Sequence, residues 1–380
     1  MKVKVKSAGA VTVEIVGNLL LSIAEETTVA IIKSAYSTNI KERRDVSTAI
    51  IDPSGNMVAQ AENLPIHLGS LLTFVHGIYK KFPRESIMPG EMFIGNDPYN
   101  GGGNHLPDIA VAAPAFFGKK LIGWVVNMAH HSDIGGKVPG STSGDAVSIF
   151  QEGIKIPIIR ICKEDKIIDS VMDILLANTR VPKERSGDLI AQISANHVGV
   201  RRMTEAYEKY GDLLLECMGE LQNYAERRLR SAISILKKGE YTFTDYMDTA
   251  GSAHPDPLPI TVKITIFNDS MVFDFTGTCP QVEAPINVPY NSLLATVFYS
   301  IKALLGADIP SNAGIYRTFK VIAPKGCLVN AVHPAPVGVM IDTCQRIPDV
   351  IFGALAPAVP ERIIAGCNSA CTTAVFTGVA

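Results

Sequence analysis

The residues best suited to chemistry sit in two short stretches. In GNDPYNGGGNHLPDIAV (95–111), His105 and Asp108 stand three positions apart, with Pro107 stiffening the chain between them. A rigid loop has less entropy to lose on gripping an ion, so an imidazole and a carboxylate held this way read as metal ligands. The second stretch, NMAHHSDIGG (127–136), carries His130 and His131 at the end of a predicted strand. Successive strand side chains point to opposite faces, so only one of the two can join His105 and Asp108. His130 shares its face with Trp124, Val126 and Met128, whereas His131 goes with Val125, Asn127 and Asp133. Two imidazoles and one carboxylate can hold zinc, iron or manganese while leaving positions open for water or substrate. Each part alone has an ordinary reading. A single histidine is commonly a hydrogen-bonded structural residue, and Gly101–Gly103 a plain turn. It is the H-x-x-D loop followed one hairpin later by a double histidine that favours a site.

Other chemistries find no support. Neither G-x-x-x-x-G-K-[ST] nor G-x-G-x-x-G occurs, so the glycine cluster is a weak candidate for holding nucleotide. There is no G-x-S-x-G, and the cysteines lack the neighbours that would lower a thiol pKa. The seven cysteines are scattered, with Cys367 and Cys371 forming one C-x3-C without a second half. They read as free thiols of a reducing compartment rather than as disulfides or a zinc knuckle. Net charge is −2 and the longest basic run is KERR (41–44), which gives no nucleic-acid footprint. The N-terminus is basic and then apolar, like a signal peptide. Glu14, Asn18, Glu25 and Glu26 interrupt it at helical spacing, however, and no cleavage site stands out. No uninterrupted apolar run reaches about 18 residues, so no membrane span is expected and the location is read as cytoplasmic.

The elements that must position these residues can be read in order. With 380 residues, 47% hydrophobic and 19% charged, the chain is long and apolar enough for two or three folded units. Residues 12–38 show helical spacing through Val13, Val16, Leu19, Leu20 and Ile23. Two short strands flank the turn Asp52-Pro53-Ser54-Gly55-Asn56, and a helix at 69–82 ends before Pro83. GEMFIGND is a strand entering the candidate loop. Residues 109–131 form a hairpin turning at Gly118-Lys119-Lys120. A long helical zone covers 183–238, a second hairpin turns at Asn268-Asp269-Ser270, and a helix spans 290–305. The loosest join is expected at 239–258, and Pro- and Gly-rich connections after the last helix. Strands do not alternate regularly with helices, so the expected class is α+β: mixed β-sheet regions with long helices, not a doubly wound Rossmann sheet. Three segments follow: 1–182 with the metal-site motifs, the helical 183–239, and an α+β region at 240–380.

Several longer motifs carry a resemblance. NIKERRDVSTAIIDPSGNMVAQAENLPIHLGS, NDPYNGGGNHLPDIAV, AHHSDIGGKVPGS, FQEGIKIP, ILLANTRVPKERSGDLIAQISANHVGVRR, DFTGTCPQV and DIPSNAGIYRTFKVIAPKGCLVN together resemble the hydantoinase B/oxoprolinase family. The resemblance runs in order from about residue 11 to the end. That family includes the B-type component of N-methylhydantoinases, the C-terminal half of 5-oxoprolinase, and the α-type subunits of acetone and acetophenone carboxylases. It implies a hetero-oligomer in which a hydantoinase A-type partner binds ATP and Mg and phosphorylates the substrate oxygen, while the B-type component carries a divalent metal (Zn, Mn or Fe). On the matching motifs, the ligands implied are His105, Asp108 and His130, with Asp45 of KERRDVS as a further carboxylate. His131 and Asp133 are then implied as neighbours that orient ligands or move protons during catalysis. Family loops usually carry one residue fewer between the tyrosine and the histidine than YNGGGNH, and members commonly continue past the equivalent of Ala380.

Two activities are implied. One is ATP-dependent hydrolysis of a cyclic amide: a hydantoin, 5-oxoproline or a lactam. The other is ATP-dependent carboxylation of a ketone, and function follows site details rather than fold. A metal of purely structural role is a third reading. Structural zinc favours thiolates, and this ligand set has none.

Overall fold

The hairpin around Gly118 is the centre of the first half of the molecule. The computed structural model describes residues 8–61, 63–251 and 254–371. They fall into two compact units. One comprises the chain up to Ile134 together with Lys155–Ala225 and Pro310–Gly314; the other comprises Gly135–Ile154, Glu226–Ile309 and the residues from Ile315 onward. Both units are therefore discontinuous in sequence, where the sequence suggests contiguous segments 1–182, 183–239 and 240–380.

The first unit opens with helix α1 (Ala10–Ser34), the four-residue α2 (Thr38–Lys41), strands β1 (Val46–Ile51) and β2 (Met57–Gln60), and helix α3 (His67–Lys81). It continues with β3 (Met92–Gly95), β4 (Asp108–Phe117), β5 (Lys120–His130), β6 (Ile159–Lys163), β7 (Lys166–Ile167), α4 (Asp169–Ala177), α5 (Pro182–Tyr210) and most of α6 (Leu213–Ser234). The strands form one sheet, ordered β2-β1-β5-β4-β3-β6-β7, with every neighbour antiparallel. Helix α3 lies on one face, where the Trp124 indole donates to the Tyr79 hydroxyl at 2.8 Å. Helix α5 covers the other, where its Gln192 and Asn196 bond Asn127 of β5. With both faces covered, β4 and β5 are apolar nearly throughout.

Local chemistry accounts for the boundaries. Helix α1 ends at Ser34, short of the expected 38, because Ala35 turns extended and Asp188 accepts the N–H groups of Tyr36 and Ser37. Helix α3 stops where Phe82, preceding Pro83, is extended. The Asp52 carboxylate accepts from Ser54 and Asn56 N–H, closing the β1–β2 turn as its sequence predicts. The expected helical zone breaks at Gly211, whose φ of +60° ends α5. By length and composition alone α1 is long and apolar enough to cross a membrane, despite its interrupted apolar run. In this unit Val16, Leu20 and Ile23 of α1 join Met203, Ala206 and Leu214 in a buried cluster.

The second unit carries strands β8 (Gly239–Met247), β9 (Leu258–Ile266) and β10 (Met271–Asp274), helix α7 (Tyr290–Leu305), half of the short α8 (Ala313–Tyr316), β11 (Phe319–Ile322) and helix α9 (Met340–Leu355). Its sheet runs β11-β10-β9-β8, parallel between β10 and β11 and antiparallel elsewhere. Two expectations are corrected here. The supposed loose join at 239–258 begins with strand β8, whose tyrosines, threonines and Phe243 suit a half-exposed edge paired to β9. The supposed connections after residue 305 contain α9, which keeps Pro348 inside a helix. Its buried Met340, Cys344, Ile347, Ile351 and Leu355 recur at helical spacing, so burial of that stripe outweighs one lost backbone bond. In this unit buried Glu152 of the motif FQEGIKIP accepts the N–H groups of Val337 and Gly338 at 3.1 and 2.7 Å.

Candidate metal centre

Three adjacent strands end in one row. In the β4–β5 ladder Asp108 lies directly opposite His130, and the His130 N–H donates to the carbonyl of Asp45, the residue before β1. Cross-strand partners share a face, so the register alone places Asp45, His130 and Asp108 along one edge of the sheet. His105 arrives from the loop between β3 and β4. That loop is closed by Asn96, whose amide donates to the Leu106 carbonyl at 2.7 Å, and by the Asp108 N–H on the His105 carbonyl at 3.1 Å. The glycines let it fold this tightly. Gly101 sits at φ +87°, and a Cβ on Gly103 would lie 2.5 Å from the Asp108 carbonyl oxygen and 2.9 Å from that of Asn96.

His105, Asp108 and His130 each offer one ligand atom, all within 4.8 Å of one another. The His105 Nε2 lies 3.4 Å from the Asp108 Oδ1. Asp108 is 2% exposed, and its two oxygens differ. Oδ2 accepts from the Asn104 amide at 3.0 Å, itself held by the Ser70 hydroxyl at 2.7 Å. Among the described residues Oδ1 has no hydrogen-bond partner. A buried carboxylate oxygen with ring nitrogens no nearer than 3.4 Å lacks a full hydrogen bond, which is costly, and a cation among the imidazoles would satisfy it. The Asn39 amide nitrogen lies 3.0 Å from the His130 Nδ1, which accepts from it in this arrangement. With the amide turned about its χ2, its oxygen would instead accept from Nδ1–H and leave Nε2 free to ligate. These residues therefore fit a divalent ion of the kind that accepts nitrogen and oxygen donors without thiolate.

Asp45 stands at the margin of this group, and the reason is a residue the sequence reading missed. His67, the first residue of α3, is 1% exposed. Its Nε2 lies 3.7 Å from the Asp45 Oδ1 and 3.6 Å from the Asp108 Oδ1, and its Nδ1 lies 3.0 Å from the Ser47 hydroxyl. A signal for it exists: His67 precedes Leu71, Phe74 and Ile78 at helical spacing, so it occupies the buried stripe of α3. A histidine there needs polar partners, which the apolar neighbours in sequence do not supply.

The charges of the centre follow from this packing. Burial acts to raise the Asp108 pKa, but the His105 and His67 rings more than reverse that and hold it well below the usual carboxylate range. Burial acts to lower the His67 pKa, and Asp108, helped by Asp45, reverses it and raises the ring above its ordinary value. For His130 burial prevails over the pull of Asp45, so its pKa is lowered. An ionised Asp108 and a neutral His130 are the forms a ligand must take.

His131 and Asp133 serve other networks. As alternation predicts, the His131 ring turns to the face opposite His130, with Nε2 2.8 Å from the Gln192 Oε1. Because the Gln192 amide nitrogen donates to Ile109 and Asn127, its oxygen must accept, so His131 carries its proton on Nε2 and its buried Nδ1 is bare. Asp133 accepts from the Arg180 N–H at 3.0 Å and pairs with the Arg180 guanidinium at 2.9 Å. Only the His131 backbone reaches the loop, donating to the Pro107 carbonyl. All seven cysteines are free thiols.

Against known proteins, the profile of the Hydantoinase B/oxoprolinase family matches residues 9–380. An uncharacterized protein of Methanocaldococcus jannaschii is 38% identical over 97% of this chain and 65% of its own length. A putative B-type component of a D-/L-hydantoinase, from a Pseudomonas strain, is 34% identical over 95% of this chain and 63% of its own. The crystal structure of the ATP-dependent caprolactamase from Pseudomonas jessenii superposes with a TM-score of 0.87 at 30% identity, covering 93% of this chain and 61% of that one. The chain thus spans less than two thirds of the length of each of these relatives.

Proposed function

Because the chain belongs to the Hydantoinase B/oxoprolinase family, we propose that it is the B-type component of an ATP-dependent cyclic-amide hydrolase that opens a hydantoin, 5-oxoproline or lactam ring. An amide carbonyl is a poor electrophile because nitrogen donates into it. In this reading a hydantoinase A-type partner binds ATP and Mg and transfers phosphate to the carbonyl oxygen, leaving an imidate-type carbon. Water adds to that carbon, the C–N bond breaks as nitrogen takes a proton, and a second water releases phosphate from the resulting acyl phosphate. The absence of a phosphate-cradling motif in this chain accords with such a division of labour. His105, Asp108 and His130, with Asp45 beside them, would hold a zinc, manganese or iron ion, which would supply Lewis acidity and lower the pKa of water.

The chain's own residues prepare that site. Asn104 fixes Asp108 through Oδ2, so that Oδ1 faces the two imidazoles. Asn39 holds the His130 ring through its Nδ1. Asp45 and His105, whose side chains are 19% and 12% exposed, mark the side from which a substrate would approach. The observation that carries the reading is the unpartnered Asp108 Oδ1, buried among two imidazoles in a chain of this family.

The test is elemental analysis of the purified protein, then ring opening by the complex with its ATP-binding partner. About one divalent ion per chain, lost in His105→Ala and His130→Ala, and ATP-dependent ring opening without bicarbonate are expected. Full metal occupancy in both variants refutes the ligand assignment, and turnover of a ketone only with bicarbonate refutes the hydrolase in favour of a carboxylase. Calorimetry with Mg-ATP is expected to be silent for this chain alone.

A further inference from the structure

Asp45 is too peripheral to be placed in the centre by its own contacts: it lies outside the group of three side chains whose ligand atoms converge. What joins it to that group is His67, whose Nε2 is nearly equidistant from the Asp45 and Asp108 Oδ1 atoms at 3.7 and 3.6 Å. Ionised carboxylates only accept hydrogen bonds, so a ring nitrogen facing two of them must carry its hydrogen. This holds whether the ring is neutral or charged. His67 also stands outside the group of side chains whose ligand atoms converge, which makes its Nε2 a donor rather than a ligand, and the Ser47 hydroxyl fixes the ring from its other end through Nδ1. Helix α3 supplies His67 and the start of β1 supplies Asp45 and Ser47, so the link spans two elements.

We propose that His67 is a positioning residue that couples Asp45 to the metal centre, its Nε2–H shared between the Asp45 and Asp108 carboxylates so that each presents one defined oxygen to the ion. This rests on the metal reading above. At 3.6–3.7 Å neither contact is a full hydrogen bond, and a small rotation of the ring strengthens one at the expense of the other. Anything that draws Asp108 toward His105 and His130 thus changes the hold on Asp45. Metal affinity is then set jointly by His67 and Asp45 rather than by each independently.

Two amide substitutions separate this role from packing. In His67→Gln the side-chain nitrogen reaches the place of Nε2, and in His67→Asn it reaches only the place of Nδ1, beside Ser47. Cobalt(II) and zinc(II) affinities of the chain, measured against a chromophoric chelator, and the visible band of the cobalt form are the readouts. His67→Gln is expected to stay within about threefold of wild type with an unchanged band. His67→Asn is expected to lose roughly 10–100-fold, the usual effect of removing a group that orients a ligand. Asp45→Asn is expected to lose at least about tenfold alone, but no more than about threefold when added to His67→Asn, because non-additivity marks coupled residues. Tolerance of Asn with loss in Gln, or penalties that simply multiply, overturns the proposal while leaving the metal site standing. A wild-type chain that binds neither ion at micromolar concentration overturns both.

Discussion

Replacing Gly103 by alanine tests whether the glycine loop is what brings His105 and Asp108 to one point. The new Cβ would sit 2.5 Å from the Asp108 carbonyl oxygen, 2.9 Å from that of Asn96 and 3.2 Å from that of His105. Ordinary contact begins near 3.4 Å, so the worst of these is short by about 0.9 Å. All three atoms are backbone, and no side chain can rotate away to make room. The loop must move by several tenths of an ångström, and overpacking of this kind costs about 1–3 kcal/mol. Metal–ligand distances tolerate only about 0.2 Å, so the same displacement reaches the centre. A weakening of zinc or cobalt affinity by at least about tenfold, or about 1.4 kcal/mol, is expected. Gly144→Ala is the control: nothing lies within 4 Å of its added Cβ, and it should change stability by no more than about 0.5 kcal/mol. Urea denaturation of the metal-free protein gives the stability cost, and titration against a chelator gives the affinity. A Gly103→Ala protein that binds metal within twofold of wild type would refute the argument that close backbone approach assembles the ligands.

Four further outcomes are expected. His131→Ala should destabilise the metal-free protein by about 1–3 kcal/mol in urea, because Gln192 loses a buried partner, yet leave metal affinity within twofold. Asp133→Asn should likewise spare metal content, and metal loss in either variant would return these residues to the centre. Tyr79→Phe should cost about 1–3 kcal/mol in the same assay, since the buried Trp124 N–H and the Pro53 carbonyl both lose their bond to the hydroxyl. Thiol labelling of the native protein at pH 8, read by mass spectrometry, should modify exposed Cys367 and Cys371 first. Burial hides Cys344 and pushes its thiol up to about 12, and it likewise pushes Cys162 and Cys279 up to about 11, so early labelling of Cys344 would contradict the packing of α9.

Much of the site is written in local pattern. Strand alternation alone separates His130 from His131, and the structure turns them to opposite faces, one beside His105 and the other onto Gln192. Turn chemistry at Asp52–Asn56 and Gly118 specifies the two hairpins, because an Asx carboxylate and a positive φ are needs of the turn itself. The α+β class is legible for the same reason: helical and strand periods are properties of neighbouring residues. Periodicity misses α9 because Pro348 reads as a breaker until the stripe around it is buried, and it misses β8 because a polar edge strand resembles a loop until β9 pairs with it. What no local pattern contains is the meeting of distant segments. The register that sets Asp108 opposite His130, the position of Asp45 at the head of β1, and the docking of α3 that drops His67 between two carboxylates are choices among many pairings. Those choices are made by the burial of the whole core, whose gain must exceed the entropy of closing long loops. A cluster of side chains drawn from several elements is therefore a property of the folded unit, and His67 became visible only there.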